Sequence, residues 1–263
     1  MHNIIVYEVD KMKEIIGIIN QKGGVSKTST ALALWTGLPK LKALKTLCID
    51  LDPQCNLTIS SGAKMDNATV LDVLLEKVSV RDAVQYTKLG DVVASHKGLS
   101  GIEVLLTQVG REYKLRNALK LLSDYDVVIL DTPPSLGILT INALIASTSV
   151  IIPANADFFS MYGISQLGET IESVKEYTNH GLKIDGVLLT RYTDRTVLSR
   201  DMAENIRKLA ERLKTKVFKT TIREAVSVRE AQVSQQSIFV RAPQAKVTQD
   251  YENFINELWE DRK

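Results

Sequence analysis

The residues best equipped for chemistry in this 263-residue chain fall in three short groups. The first is Asn20-Gln21-Lys22-Gly23-Gly24-Val25-Ser26-Lys27-Thr28-Ser29, a glycine pair flanked by two lysines five residues apart and closed by hydroxyl side chains. Glycines let the backbone turn its N–H groups inward, and a helix start adds partial positive charge, so such a loop cradles phosphate groups. Lys27 would reach the β- and γ-phosphates of a nucleotide, and the Thr28 hydroxyl would ligate Mg²⁺. The second group, Asp50-Leu51-Asp52-Pro53-Gln54, sets two carboxylates after an apolar run. In the third, Asp131 follows Val127-Val128-Ile129-Leu130 and precedes Thr132-Pro133-Pro134-Ser135-Leu136-Gly137. Four apolar residues and then a carboxylate is the look of a Walker B element, and Asp131 would hold Mg²⁺ through a water.

Each group needs a strand behind it. Ile15 to Ile19, around Gly17, reads as a buried strand running into the first loop, and Thr30 to Leu38 as the helix leading out. Lys45 to Asp50 reads as a second strand, which Pro53 ends. Tyr125 to Asp131 is the clearest parallel-sheet strand. Carboxylates at strand C-termini lie on the edge of an open α/β sheet where ligands bind. Further strands are expected at Asp91–Ser95, Ser149–Pro153 and Ile184–Thr190, with helices at Val70–Leu75, Leu115–Leu122 and Met161–Tyr177. This βα recurrence predicts an α/β fold, doubly wound, with a mainly parallel sheet and helices on both faces, built as a single domain over residues 1–263 with 1–13 as an N-terminal extension.

Composition narrows the class. Apolar content of 44% and charged content of 24% are ordinary globular values. Two cysteines, Cys48 and Cys55, make neither a disulfide framework nor a metal site and fit a reduced, cytoplasmic setting. His2, His96 and His180 pair with no Cys, Ser or carboxylate cluster, so there is no basis for nucleophilic triad chemistry. No apolar run approaches the roughly eighteen residues that span a bilayer, and the first twelve residues lack the layout of a secretion signal.

On these motifs the chain resembles the deviant Walker A ATPases of the ParA/MinD type, a P-loop NTPase branch whose loop reads K-G-G-x-G-K-[ST]-[ST]. The segment Asp50 to Gln54 matches that family's D-x-D-P-Q motif, and Asp131 to Gly137 its D-[TS]-P-P-x-L-G switch. The resemblance runs from Glu14 onward and is to the short ParA form, without an N-terminal helix-turn-helix domain. It implies Mg-ATP hydrolysis in a homodimer that sandwiches ATP, with Lys22 of each subunit crossing to the other's phosphates. It implies nucleotide contacts from Gly23, Gly24, Val25, Ser26, Lys27, Thr28 and Ser29, and places the adenine near Thr190 and Arg191; no guanine-reading N-K-x-D occurs. Asp52 orients or activates the attacking water, and Asp50 supports the metal beside Thr28 and Asp131. A ParB-type centromere-binding partner stimulates hydrolysis, and the dimer binds DNA without sequence preference, which gives a nucleoid-associated protein. Ser26 departs from the family's glycine: its Cβ crowds the phosphates, and at positive φ a non-glycine residue costs about 1–2 kcal/mol, so weaker or slower nucleotide handling is expected.

Charge is uneven along the chain. Between Thr190 and Lys246 thirteen basic residues face six acidic ones, a local +7 within an overall +2. That is the footprint of phosphate-backbone binding or of a solvated helical face with pairs such as Glu204/Lys208. The resemblance favours DNA, with Arg195 on one family position, and Arg223 and Arg229 near another that is occupied by Ser227. The segment from Val247 to Lys263 has helical apolar spacing and an acidic outer face, unlike the basic face of a membrane-surface helix. A MinD-like membrane-positioning ATPase, a metabolic or iron–sulfur-carrier relative, and positioning of a protein cargo are the alternatives.

Overall fold

The computed structural model describes residues 14–260 and 262; the expected extension at 1–13 lies outside the described residues. In chain order the elements are β1 (Glu14–Ile18), α1 (Lys27–Lys42), β2 (Thr46–Asp50), α2 (Asn56–Ser61), α3 (Val70–Leu74), β3 (Val84–Thr87), β4 (Gly90–Val93), α4 (Ile102–Leu105) and α5 (Lys114–Leu119). They continue with β5 (Val127–Asp131), α6 (Ile138–Ala146), β6 (Ser149–Ala154), α7 (Phe158–Tyr177), β7 (Lys183–Leu189), α8 (Val197–Arg212), α9 (Val226–Val233), α10 (Ile238–Arg241) and α11 (Lys246–Glu260).

The strands form one sheet in the order β3-β4-β2-β5-β1-β6-β7. Every neighbouring pair is parallel except β3 with β4. Parallel strands buried on both faces need apolar residues at every position, and β2, β5 and β6 are buried throughout. Alternate residues feed two cores. Val128 and Leu130 pack among α3, α5, α6, α7 and α8, whereas Val127 and Ile129 face α1, α9, α10 and α11. This is the doubly wound arrangement the sequence predicts.

Three local features differ from the sequence reading. The first helix does not stop before Pro39 but runs on to Lys42. Proline has no N–H for the carbonyl four residues back; that carbonyl, of Trp35, instead accepts the Thr46 hydroxyl at 2.9 Å, so the helix continues at little cost. The β3–β4 hairpin has no strong sequence signal, because Val84 to Thr87 is only half-buried at the sheet edge. The Glu204/Lys208 pair is not what forms on α8: Glu204 meets Arg207 at 3.2 Å. At the C-terminus, α11 buries Val247, Tyr251, Phe254, Ile255 and Leu258 against α1 and the sheet.

Candidate functional site

Sheet order alone gathers the three motifs. β2, β5 and β1 are consecutive neighbours, and the loops that leave their C-terminal ends carry the Asp50–Gln54 turn, the Asp131–Gly137 switch and the glycine loop. The register pairs Asp50 with Asp131 directly across β2 and β5.

The glycine loop is tied to its surroundings by hydrogen bonds of its own. Asn20 donates from Nδ2 to the Pro153 carbonyl at 2.8 Å and accepts the Lys22 N–H at 2.9 Å. Gly24, at φ 73°, takes the left-handed turn open to glycine. Ser26 takes the same conformation, φ 65° and ψ 28°, immediately before α1, and its hydroxyl does not cap the helix. The first-turn N–H groups therefore have no side-chain acceptor, and the turn contains no acidic residue, which is the setting that attracts an anion. Lys27 is buried and donates to the Lys22 carbonyl at 3.0 Å, spanning the loop with N–H donors left over. Burial lowers its pKa, against the opposing pull of Asp131 and Asp52.

The Thr28 hydroxyl donates to Asp131 Oδ2 at 2.8 Å, while Asp131 Oδ1 is buried with no hydrogen-bond partner. Burial, then the charge of Asp50, raises the Asp131 pKa, against the Thr28 hydrogen bond and Lys27. An orphaned carboxyl oxygen beside a threonine hydroxyl fits a divalent cation, which would satisfy the oxygen and favour its charged form. Among the described residues no cluster of three or more His, Cys, Asp or Glu could hold a metal. Such an ion would take its remaining ligands from phosphate and water, as Mg²⁺ commonly does.

Asp50 is different, and here the expectation is corrected. It is fully buried; Oδ1 accepts the Asp52 N–H at 3.0 Å, and Oδ2 accepts the Thr58 N–H at 2.8 Å and hydroxyl at 2.7 Å. Burial raises its pKa to about 6 against those hydrogen bonds. With both oxygens spent internally, Asp50 fixes the loop and is not a direct metal ligand. Asp52 does line the cleft: its Oδ1 accepts the Gln54 N–H at 2.9 Å, and Ser95 holds its carbonyl at 2.7 Å.

Two adjoining cavities run over the loop. One, of about 600 Å³, has Lys27, Thr28, Asp52 and Pro134 in its wall. The other, of about 210 Å³, is walled by Arg191, Ile222, Glu224 and Tyr251. Arg191, at φ 51°, pairs with Glu224 at 2.6 Å and reaches the Gly24 carbonyl at 3.5 Å. Thr190 is not on the cavity wall. It is fully buried, and its hydroxyl supports the Val25 carbonyl from behind at 3.1 Å. The Val25 side chain is likewise buried, which leaves only its backbone for a ligand.

Lys22 stands at the rim. Its Nζ donates to Asp157 Oδ1 at 2.8 Å and Oδ2 at 2.6 Å, and to the Ser160 hydroxyl at 3.3 Å. Asp157 caps α7 by accepting the Ser160 N–H at 2.8 Å. The sequence reading missed Asp157; a helix-capping aspartate was legible there, but its 135-residue reach to Lys22 was not. Gln232 was also missed: it joins α9 to the loop through the Ser29 hydroxyl at 3.2 Å. The expected DNA contacts separate. Arg195 is exposed on the loop before α8, Arg223 is clamped on Asp250 at 2.6 and 2.8 Å, and Arg229 turns to the cleft.

The comparisons agree with this geometry. A family model described as an AAA domain matches residues 13–184. The chain is 42% identical over 199 residues to the chromosome partitioning protein ParA of Myxococcus xanthus, covering 73% of this chain and 70% of that one. It is 36% identical over 253 residues to the sporulation initiation inhibitor protein Soj of Bacillus subtilis, covering 94% and 98%. A Mycobacterium smegmatis structure, described as cobyrinic acid a,c-diamide synthase with bound ATP analog and magnesium, superposes with a TM-score of 0.83 at 34% identity over 96% of each chain. With a phosphate loop, an orphaned carboxylate oxygen beside Thr28 and these relatives, the chain belongs to the ParA-type deviant Walker A ATPases, which hydrolyse ATP with Mg²⁺.

Proposed function

We propose that the chain, acting as one deviant Walker A domain, is a partition ATPase that couples Mg-ATP hydrolysis to segregation of a plasmid or chromosome. The observation that carries the reading is the open phosphate cleft with Lys22 at its rim. In the first two turns of α7, which is capped by the Asp157 that holds this lysine, Phe158, Phe159 and Tyr162 are 61%, 73% and 59% exposed. Three exposed aromatics beside a displaceable lysine suit a second copy of the chain facing the cleft, with Lys22 crossing to the neighbour's phosphates.

In that assembly Lys27 and the free N–H groups of the first turn of α1 hold the phosphates. Thr28 and Asp131 would hold Mg²⁺, which when bound neutralises charge on the β- and γ-oxygens. Asp52 orients the attacking water from the cleft wall, with Asp50 and Thr58 fixing its loop. Pairing two copies would also join the surfaces around Arg195 into one basic face for DNA of any sequence, so nucleotide state gates nucleoid association. A ParB-type partner stimulates turnover. Arg191, Arg207, Arg223 and Arg241 each face a carboxylate, so the DNA face is narrower than the +7 segment implies.

The apolar face of α11 is spent inside the core, and among the described residues no helix is long and apolar enough to cross a membrane. The first observation weighs against the membrane-positioning alternative, which needs an amphipathic helix with its apolar face free for lipid. Binding to unrelated DNA duplexes, titrated with salt in ATP, ADP and no nucleotide, tests the proposal. A steep salt-sensitive affinity only with ATP is expected; equal affinity in all three conditions refutes the switch, and positioning of a protein cargo would then be favoured.

A further inference from the structure

The two cavities over the glycine loop share four wall residues: Gly24, Ser26, Ser29 and Arg229. A nucleoside triphosphate with its γ-end by Thr28 and Asp131 and its base by Arg191 must cross from one cavity to the other at those four residues. The part of the molecule that makes the crossing is the α-phosphate with the ribose. Arg229 is the one cation among the four.

Its placement is built, not incidental. Ala231, two residues on, is buried in the core, so Arg229 projects from the opposite side of α9. The helix is pinned to the loop side by Gln232 on Ser29 and to α2 by Gln235 Nε2 on the Ile59 carbonyl at 3.0 Å. The nearby acids are engaged elsewhere: Glu224 holds Arg191 at 2.6 Å, and Glu230 lies 3.9 Å from Arg241. Among the described residues the Arg229 guanidinium has no ion pair or hydrogen-bond partner.

We propose that Arg229 is a nucleotide ligand whose guanidinium binds the α-phosphate of ATP and ADP in its own subunit. The assignment rests on the nucleotide site described above and withdraws Arg229 from the DNA surface. It gives the site a cation where the loop carries Ser26 in place of glycine, so phosphate attraction is supplied from α9 as well as from the loop. An α-phosphate contact is made equally before and after hydrolysis. It therefore tightens binding of both nucleotides and leaves the chemical step alone.

The test is calorimetric titration of the wild-type chain, Arg229→Ala and Arg229→Lys with Mg-ATPγS, Mg-ADP and adenosine. Unrelated-DNA binding is measured alongside at saturating nucleotide. Arg229→Ala is expected to lose about tenfold in affinity for both nucleotides, the usual scale of a charged hydrogen bond, with adenosine binding unchanged. Arg229→Lys, which keeps the charge but not the fork, should fall between. Unchanged nucleotide affinity with lost DNA binding would return Arg229 to the DNA surface and overturn the assignment. A loss confined to ATPγS would overturn it too, by placing the contact on the γ-phosphate. The wild-type titration separately tests the nucleotide site itself.

Discussion

Asp157→Asn isolates the cost of releasing Lys22. Asparagine caps helices as well as aspartate does, so the Ser160 N–H at 2.8 Å keeps an acceptor while the ion pair to Lys22 is lost. The two side chains are 27% and 39% exposed, so solvent screens the pair, and such pairs contribute about 0.2–1 kcal/mol. In the proposed dimer both subunits would break one to exchange lysines, a cost of about 0.4–2 kcal/mol. Removing that cost should tighten ATP-dependent dimerisation by about 2- to 30-fold. Sedimentation equilibrium with Mg-ATP would read the change, and the Lys22→Gln background would test its origin, since the gain must vanish there. The pair should also hold across neutral pH. Burial pulls the Asp157 carboxyl up, but hydrogen bonds from Lys22 and Ser160 outweigh it and hold the pKa below the ordinary carboxylate range. A depressed carboxylate pKa gives stability that is present above the unfolded value and lost only as pH falls through the folded one. The mutant's advantage should therefore be flat between about pH 6 and 8. A weaker dimer for Asp157→Asn, or the same gain without Lys22, would refute the exchange.

The remaining predictions concern the loop, the metal site and the basic face. Ser26→Gly relieves a left-handed serine worth about 1–2 kcal/mol and adds about 0.5–1 kcal/mol of chain entropy loss. A net gain near 0.5–1 kcal/mol would raise Tm by about 1–4 °C on thermal scanning, with tighter nucleotide binding in titration; a lower Tm would mean the hydroxyl holds the loop. Asp131→Asn keeps an acceptor for Thr28 and removes a buried charge, so phosphate release should fall at least about 100-fold while Tm without nucleotide stays level or rises. A drop of several degrees would show that the carboxylate holds the fold together. Arg223→Ala should lower Tm through loss of its clamp on Asp250 and leave DNA binding unaltered, whereas Arg195→Ala should weaken DNA binding and leave nucleotide affinity alone; the reverse pattern would overturn their separation.

The sheet and the three loops were legible in the sequence because their signals are local. A buried parallel strand must be apolar at each position, as Val127 to Leu130 is, and a carboxylate at its end then has one place to stand. What escaped was set by contacts between distant segments. Pro39 reads as a helix stop unless the Thr46 hydroxyl is known to take the Trp35 carbonyl. The family resemblance places the base near Thr190, yet the residue's register on β6 turns the hydroxyl to the back of the loop. Asp50 is expected to support the metal as Asp52 is to orient water, and only the fold shows Thr58 claiming Asp50 for the loop. The basic segment shows the same limit most sharply: composition counts Arg195, Arg223 and Arg229 equally, while the fold gives one to solvent, one to Asp250 and one to the cleft.

Two non-glycine residues in glycine-like backbone bear on how the cleft works. Ser26 and Cys55 hold φ 65° and 57°, and each immediately precedes a helix, α1 and α2, that walls the phosphate cavity. A non-glycine residue in that conformation persists only where its surroundings over-determine it. Here they do. The Ser26 carbonyl accepts the Thr30 N–H at 2.9 Å, and the Cys55 N–H donates to the Asp52 carbonyl at 2.9 Å, the same carbonyl held by Ser95. With Lys27 bonded across the loop and Thr28 on Asp131, the loop backbone is braced by the chain's own contacts. In the proposed dimer the side chain that must move is Lys22, whose anchor on Asp157 is partly exposed. A protein arranged this way should differ between its nucleotide states chiefly at the rim that a second copy would meet.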